Sequence, residues 1–199
     1  MEDVHMRPAL IVVDMIKDNV GMHLSRNTSS EFVKIIPNLQ KLLGEFRKRN
    51  LPIVFANDSF MEGDFLFSGR MKPHAIRGTS GVRVIEEFGP EPSDTILEKR
   101  RLSAFFKTDL DMTLRLWKID TIVTTGIATP GCVYMTAMDG FAYDFNVVIV
   151  EDCCAAHKPE IHEAFIKAIN MMPLEPMIRI MKLDAFLTDL DMLLTQNIC

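Results

Sequence analysis

Cys132 stands where an apolar strand pattern (Thr121, Ile122, Val123) gives way, past Gly126, to a Gly131-Cys132 pair and then a helical pattern. A thiol over the carboxyl end of a buried strand and at the positive end of a helix is favoured as a thiolate, the nucleophilic form. The same place also suits a buried, inert cysteine, since free Cys packs like a small apolar side chain. A thiol that attacks a carbonyl needs a base, a cation beside it and donors for the developing oxyanion. Asp14, closing the run ALIVVD, is placed to take the thiol proton and return it to a leaving nitrogen. Lys99, closing TILEK, is placed to lower the thiol pKa. The backbone N–H groups of Ala128 and Cys132 are placed to receive the oxyanion. Each residue has an ordinary reading too: Asp after a strand is often a cap or turn residue, and a Lys within EKRR is often a solvated charge.

The elements that must position these residues alternate between strand and helix. Apolar runs predict strands at 9–13, 52–56, 95–97, 121–125, 147–150 and 176–181. Helical spacing of apolar residues predicts helices over about 29–48, 110–117, 130–143, 160–171 and 184–194. A long irregular stretch, 57–81, is rich in glycine and has the length of a lid. This alternation predicts an α/β protein, a three-layer α/β/α arrangement around a mostly parallel six-stranded sheet covered on both faces. In such sheets ligands bind outside the carboxyl ends of the strands, at a switch point. Asp14, Lys99 and Cys132 all fall at such ends.

Bulk properties narrow the class. The 199 residues suit a single domain, 1–199, and 48% hydrophobic with 25% charged residues is ordinary for a globular protein. A net charge of −5, with no basic run longer than Lys99-Arg100-Arg101, argues against a nucleic-acid partner. No apolar stretch has membrane-spanning length, and the N-terminus lacks the basic and apolar regions of a secretion signal. Four cysteines, two of them adjacent (Cys153 and Cys154), do not form a secreted disulfide pattern. A cytoplasmic location and no cofactor are expected. Cys153 and Cys154 are read as packing residues following the fifth strand.

The chain resembles the isochorismatase-like cysteine hydrolases over almost its whole length. The resemblance rests on Asp14 in IVVDM, Lys99 in EKRRLSAFFKTDL, Cys132 in GIATPGCVYMTAMDGFAYDF, and PHAIRGTSG at 73–81. It implies an Asp14–Lys99–Cys132 triad that forms an acyl- or carbamoyl-thioester for water to hydrolyse. It also implies a non-proline cis peptide at Ile127–Ala128 and a tendency to form homo-oligomers, dimer or tetramer. GTSG (78–81) is read as a turn supporting the lid.

The resemblance also narrows the substrate. Nicotinamidases of this family hold a metal with an Asp and two His after the second strand. Here Asp58 is followed by Ser59 and Phe60, and the next histidine is His74; no metal is expected from such a set. Isochorismatases proper usually lack the cysteine, so Cys132 argues against vinyl-ether hydrolysis. Thr129-Pro130-Gly131-Cys132, with the Pro159-x-Ile161-His162-Glu163-Ala164 stretch downstream, resembles the N-carbamoylsarcosine amidase branch. His157 falls where that branch places a carboxylate-binding Arg, which leaves Arg70, Arg77 and Arg100 as alternative holders of an acid group. Phe60, Phe105, Thr129 and His157 are the substrate-binding candidates, with Phe65 and Phe67 as further pocket walls; the phenylalanines equally suit the chain's own core or a subunit contact, and His157 equally suits the surface. The expected partner is a small amide or ureido compound. The alternatives are a nicotinamidase-type amidase and a non-catalytic metabolite-binding or thiol-sensing protein on the same fold.

Overall fold

The computed structural model describes residues 6–20 and 30–195. The expected start of the first long helix at residue 29 lies outside the described residues, as do residues 1–5 of the stretch read for a secretion signal. Six parallel strands form one sheet: β1 (Pro8–Val13), β2 (Ile53–Asp58), β3 (Thr95–Lys99), β4 (Thr121–Ile127), β5 (Asn146–Ala155) and β6 (Ile178–Met181). Their order is β3-β2-β1-β4-β5-β6. The chain therefore builds outward from β1 on one side, then crosses back to β4 and builds outward on the other. The crevice between β1 and β4 is the switch point at which parallel sheets bind ligands.

Both faces of the sheet are buried, and β1 shows why its sequence is continuously apolar. Leu10 and Val12 pack into one core with Leu39, Leu42 and Phe46 of helix α3 (Ile36–Lys48) and Phe186 and Leu190 of α7 (Leu183–Thr195). Ala9, Ile11 and Val13 pack into the other core, against α4 (Leu110–Leu116), α5 (Tyr134–Ala142) and Ile169 of α6 (Pro159–Asn170). Two shorter helices, α1 (Lys17–Val20) and α2 (Ser30–Lys34), lie between β1 and α3 in the chain. Among the described residues no helix is long and apolar enough to cross a membrane.

Two elements differ from the sequence expectation for identifiable reasons. The helix expected over 29–48 is broken at Ile35, between α2 and α3. Pro37 has no N–H to give the carbonyl one turn earlier, so the first helix cannot run through it. Strand β5 runs on to Ala155, well past the expected end at Val150. Glu151 and Asp152 hid this continuation, yet their backbone stays in the strand, and Asp152 caps the Leu183 N–H at 2.8 Å. Cys153 and Cys154 thus lie within β5 rather than after it, and point into opposite cores. Burial pushes both thiols well up, so they pack as apolar side chains.

Candidate active site

The carboxyl ends of β1 and β4 are drawn together by Gly126. Its φ of +98° suits glycine, and a Cβ there would run into the backbone of Val13. The next residue after Val13 is Asp14, itself in the left-handed region with φ 55°. Its N–H donates to Ala56 O at 3.0 Å, and Asn19 Nδ2 donates to its carbonyl at 3.1 Å. On the other side of the crevice, β4 ends at Ile127, the Ile127–Ala128 peptide is cis, and a wide turn over Thr129–Val133 carries Cys132 into α5.

Asp14 is the hub of the site. Its Oδ1 accepts the Asp58 N–H at 2.7 Å, and its Oδ2 accepts from Lys99 Nζ at 2.8 Å. Cys132 Sγ lies within 4.8 Å of a carboxylate oxygen of Asp14 and of Asp58. Lys99 is fully buried and gives a second bond to the Asp58 carboxylate. Asp58 and Lys99 are cross-strand partners at the ends of β2 and β3, so sheet register itself sets them side by side. The structure thus brings Asp14, Lys99 and Cys132 together, and adds Asp58 as a fourth member.

The electrostatics follow from burial. Burial opposes the Lys99 charge, but Asp14, Cys132 and Asp58 together hold its pKa above the ordinary lysine value, so it is an ammonium. Burial, followed by the Asp14 charge, pushes the Asp58 carboxyl up to about 7 against the pull of Lys99. Burial and Asp14 also push the Cys132 thiol well above its ordinary range, with Lys99 opposing them. This corrects the expectation of a preformed thiolate. The helix end and Lys99 favour the anion, but desolvation and the adjacent carboxylate outweigh them, and the resting form is a thiol.

A cleft of about 520 Å³ opens above this cluster. Asp14, Asp58, Cys132, Ile127 and Ala128 form its floor; Phe32, His157 and the Arg70–His74 segment are among its walls. His157 packs on the Phe32 ring, with centroids 4.9 Å apart. Of the arginines named as holders of an acid group, Arg77 is taken by Ser59 and Glu98, and Arg100 by the buried Asp64. Arg70 lines the cleft with no ion-pair partner among the described residues.

Several pocket expectations need correction. Phe60 is fully buried beneath the 57–81 segment, packed with Ile16, Ala75 and Phe67, so it supports the cleft without facing it. Phe65 points to solvent, being 75% exposed. Phe105 lies in the core beneath α4 and α5, stacked near Phe145 and Tyr143, away from the cleft. Thr129 is buried and bonds to His162 instead of facing the substrate space. Gly81 of GTSG makes room for the Asp18 carboxylate, which a Cβ would strike, and Asp18 Oδ2 accepts the Ala75 N–H at 2.7 Å. That pairing is the turn support read from the sequence.

The metal set of the nicotinamidases does not fit here. Ser59 and Phe60 are fully buried, Ser59 Oγ accepts from Arg77, and His74 Nδ1 lies 2.9 Å from Lys72 O. Asp14, Asp58 and Cys132 do offer ligand atoms within 4.8 Å of one another. The Lys99 ammonium is bonded to both carboxylates, however, and the group contains no imidazole.

The isochorismatase domain matches residues 8–179. This chain belongs to the isochorismatase family. The isochorismatase family protein YwoC of Bacillus subtilis is 34% identical over 172 residues, covering 82% of this chain and 85% of that protein. The ureidoacrylate amidohydrolase RutB of Pantoea ananatis is 29% identical, over 76% of this chain and 70% of its own. The crystal structure of N-carbamoylsarcosine amidase from Thermoplasma acidophilum superposes with a TM-score of 0.77 at 33% identity, covering 90% of this chain and 98% of that one.

Proposed function

We propose that this isochorismatase-family protein is a metal-independent cysteine amidohydrolase that cleaves a C–N bond of a small amide or ureido compound through a thioester on Cys132. The observation that carries the reading is the buried Asp14 carboxylate, bonded to the Lys99 ammonium and within 4.8 Å of the Cys132 thiol, on the floor of a cleft. The cleft volume, about 520 Å³, suits a small molecule. The likeness to an N-carbamoylsarcosine amidase and a ureidoacrylate amidohydrolase supports the choice of bond.

In this mechanism the thiol proton passes to Asp14 as Sγ attacks the carbonyl carbon. The N–H groups of Ala128 and Cys132 receive the oxyanion. Asp14 then gives its proton to the leaving nitrogen, the C–N bond breaks, and ammonia or an amine departs. Asp14 next takes a proton from water, whose oxygen attacks the thioester carbon. Sγ leaves, regains its proton, and the acid is released. Lys99 stays charged throughout and offsets the negative charge that moves between thiol, carboxylate and oxyanion. Asp58 holds Lys99 from the other side.

Ammonia release tests this across N-carbamoyl amino acids, other ureido acids, simple amides and nicotinamide, each with and without a chelator. The expected result is turnover of a ureido or amide substrate that the chelator leaves unchanged. Cys132→Ala should lower that rate by more than about 10⁴-fold while the protein still folds. Full ammonia release by Cys132→Ala would contradict the reading.

A further inference from the structure

Two stretches in the C-terminal half, Thr129–Cys132 and Pro159–Ala164, lie far apart in sequence, yet one hydrogen bond joins them. Thr129 Oγ1 lies 2.8 Å from His162 Nδ1. Thr129 is buried and directly follows Ala128, the residue after the cis peptide bond. A buried hydroxyl needs a partner, and His162 supplies it. We infer that His162 is a positioning residue: through Thr129 it holds the Ala128 N–H where the oxyanion forms, an inference that rests on the thiol chemistry proposed above.

Three observations support this role. Helix α6 is largely exposed, and Ile169 is its one fully buried side chain. Two of its side chains reach the nucleophile turn and the start of α5: His162 pairs with Thr129, and Phe165 lies edge-on to Tyr134 with ring centroids 5.8 Å apart. Burial also lowers the imidazole pKa of His162, against the opposing charges of Glu151 and Glu163, so the ring is neutral at pH 7. The pairing of its Nδ1 with the Thr129 hydroxyl, at 2.8 Å, fixes that rotor. Cys132 is held separately, by burial in the core beneath α5. Loss of His162 should therefore disturb the oxyanion donor and leave the thiol in place.

The test uses a probe that reads the oxyanion position without needing the natural substrate. Propanal adds reversibly to a thiol: the S–C bond forms, the carbonyl π bond breaks, and the thiol proton ends on the new oxygen. In this site that oxygen lies at the Ala128 N–H. His162→Ala should weaken the propanal adduct on Cys132 about tenfold or more. The rate of Cys132 alkylation by iodoacetamide, which forms no oxyanion, should stay within about twofold. His162→Asn, whose side-chain amide offers both an acceptor and a donor in place of Nδ1, should restore the adduct. Thr129→Val should reproduce the loss, and combining it with His162→Ala should add nothing further. Equal propanal affinity in the wild type and both single variants would overturn the inference alone. A wild-type protein that alkylates at Cys132 but forms no adduct would overturn the thiol mechanism, and this inference with it.

Discussion

The floor and the mouth of the cleft are built on opposite principles. At the floor, the Asp14, Asp58 and Cys132 side chains are buried within 4.8 Å of one another, with Lys99 buried beneath and bonded to both carboxylates, each held by the end of a different strand or by the turn after it. At the mouth, Arg70, Met71, Lys72 and Pro73 are exposed on an irregular segment, and no ion pair ties down Arg70 or Lys72 among the described residues. The floor is a closed electrostatic unit whose members cannot change one at a time. The mouth can vary with little cost to the fold. On the proposed function, reaction type belongs to the first region and substrate choice to the second.

The sharpest way to break the comparison is to remove the charge that holds the floor together. Lys99→Met leaves two buried carboxylates without their cation and should destabilise the protein by about 3–5 kcal/mol. Denaturant unfolding would show this, together with loss of turnover. If Lys99→Met unfolds no more easily than the wild type, the floor is not a coupled unit.

A smaller effect should come from Asp58, whose carboxyl sits at about 7 in the folded chain against 3.8 for the free group. Between those values the folded protein keeps a proton that the unfolded chain has released. Its stability therefore falls as pH rises across this window and levels off above about 7. Asp58→Asn should flatten that slope, by an amount on the order of a few kcal/mol across the window. Urea denaturation midpoints measured across the window would reveal it. Identical slopes for wild type and variant would refute the assignment.

The mouth should respond differently. For N-carbamoyl amino acids, Arg70→Ala should raise KM about fivefold, the worth of an exposed ion pair, with kcat and stability unchanged. Neutral amides should be indifferent to it. A fall in kcat instead would place Arg70 with the floor.

The same division governs what could be read from the amino-acid order. Asp14, Lys99 and Cys132 were legible because each follows a recognisable apolar run, and strand ends in a parallel sheet converge on one rim. Asp58 was seen only as a remnant of a metal site. The polar ends of β2 and β3, Asn57-Asp58 and Glu98-Lys99, concealed the last rungs of the ladder that pair Asp58 with Lys99. Phe60 and Phe105 read correctly as apolar but gave no sign of which layer they enter, and both went to cores rather than to the cleft. The neutral thiol was not legible at all, since it depends on burial and on the distance to Asp14. Arg70 could be singled out only once Arg77 and Arg100 were seen to be taken by neighbouring acids.

The central claim, a covalent thioester on Cys132, is tested most directly by acid-quenching the wild-type protein during turnover and weighing the peptide that contains Cys132. The account predicts a carbamoyl or acyl mass on that cysteine, absent from Cys132→Ser and lost as substrate is exhausted. Sustained ammonia release with the Cys132 peptide unmodified at every quench time would contradict it.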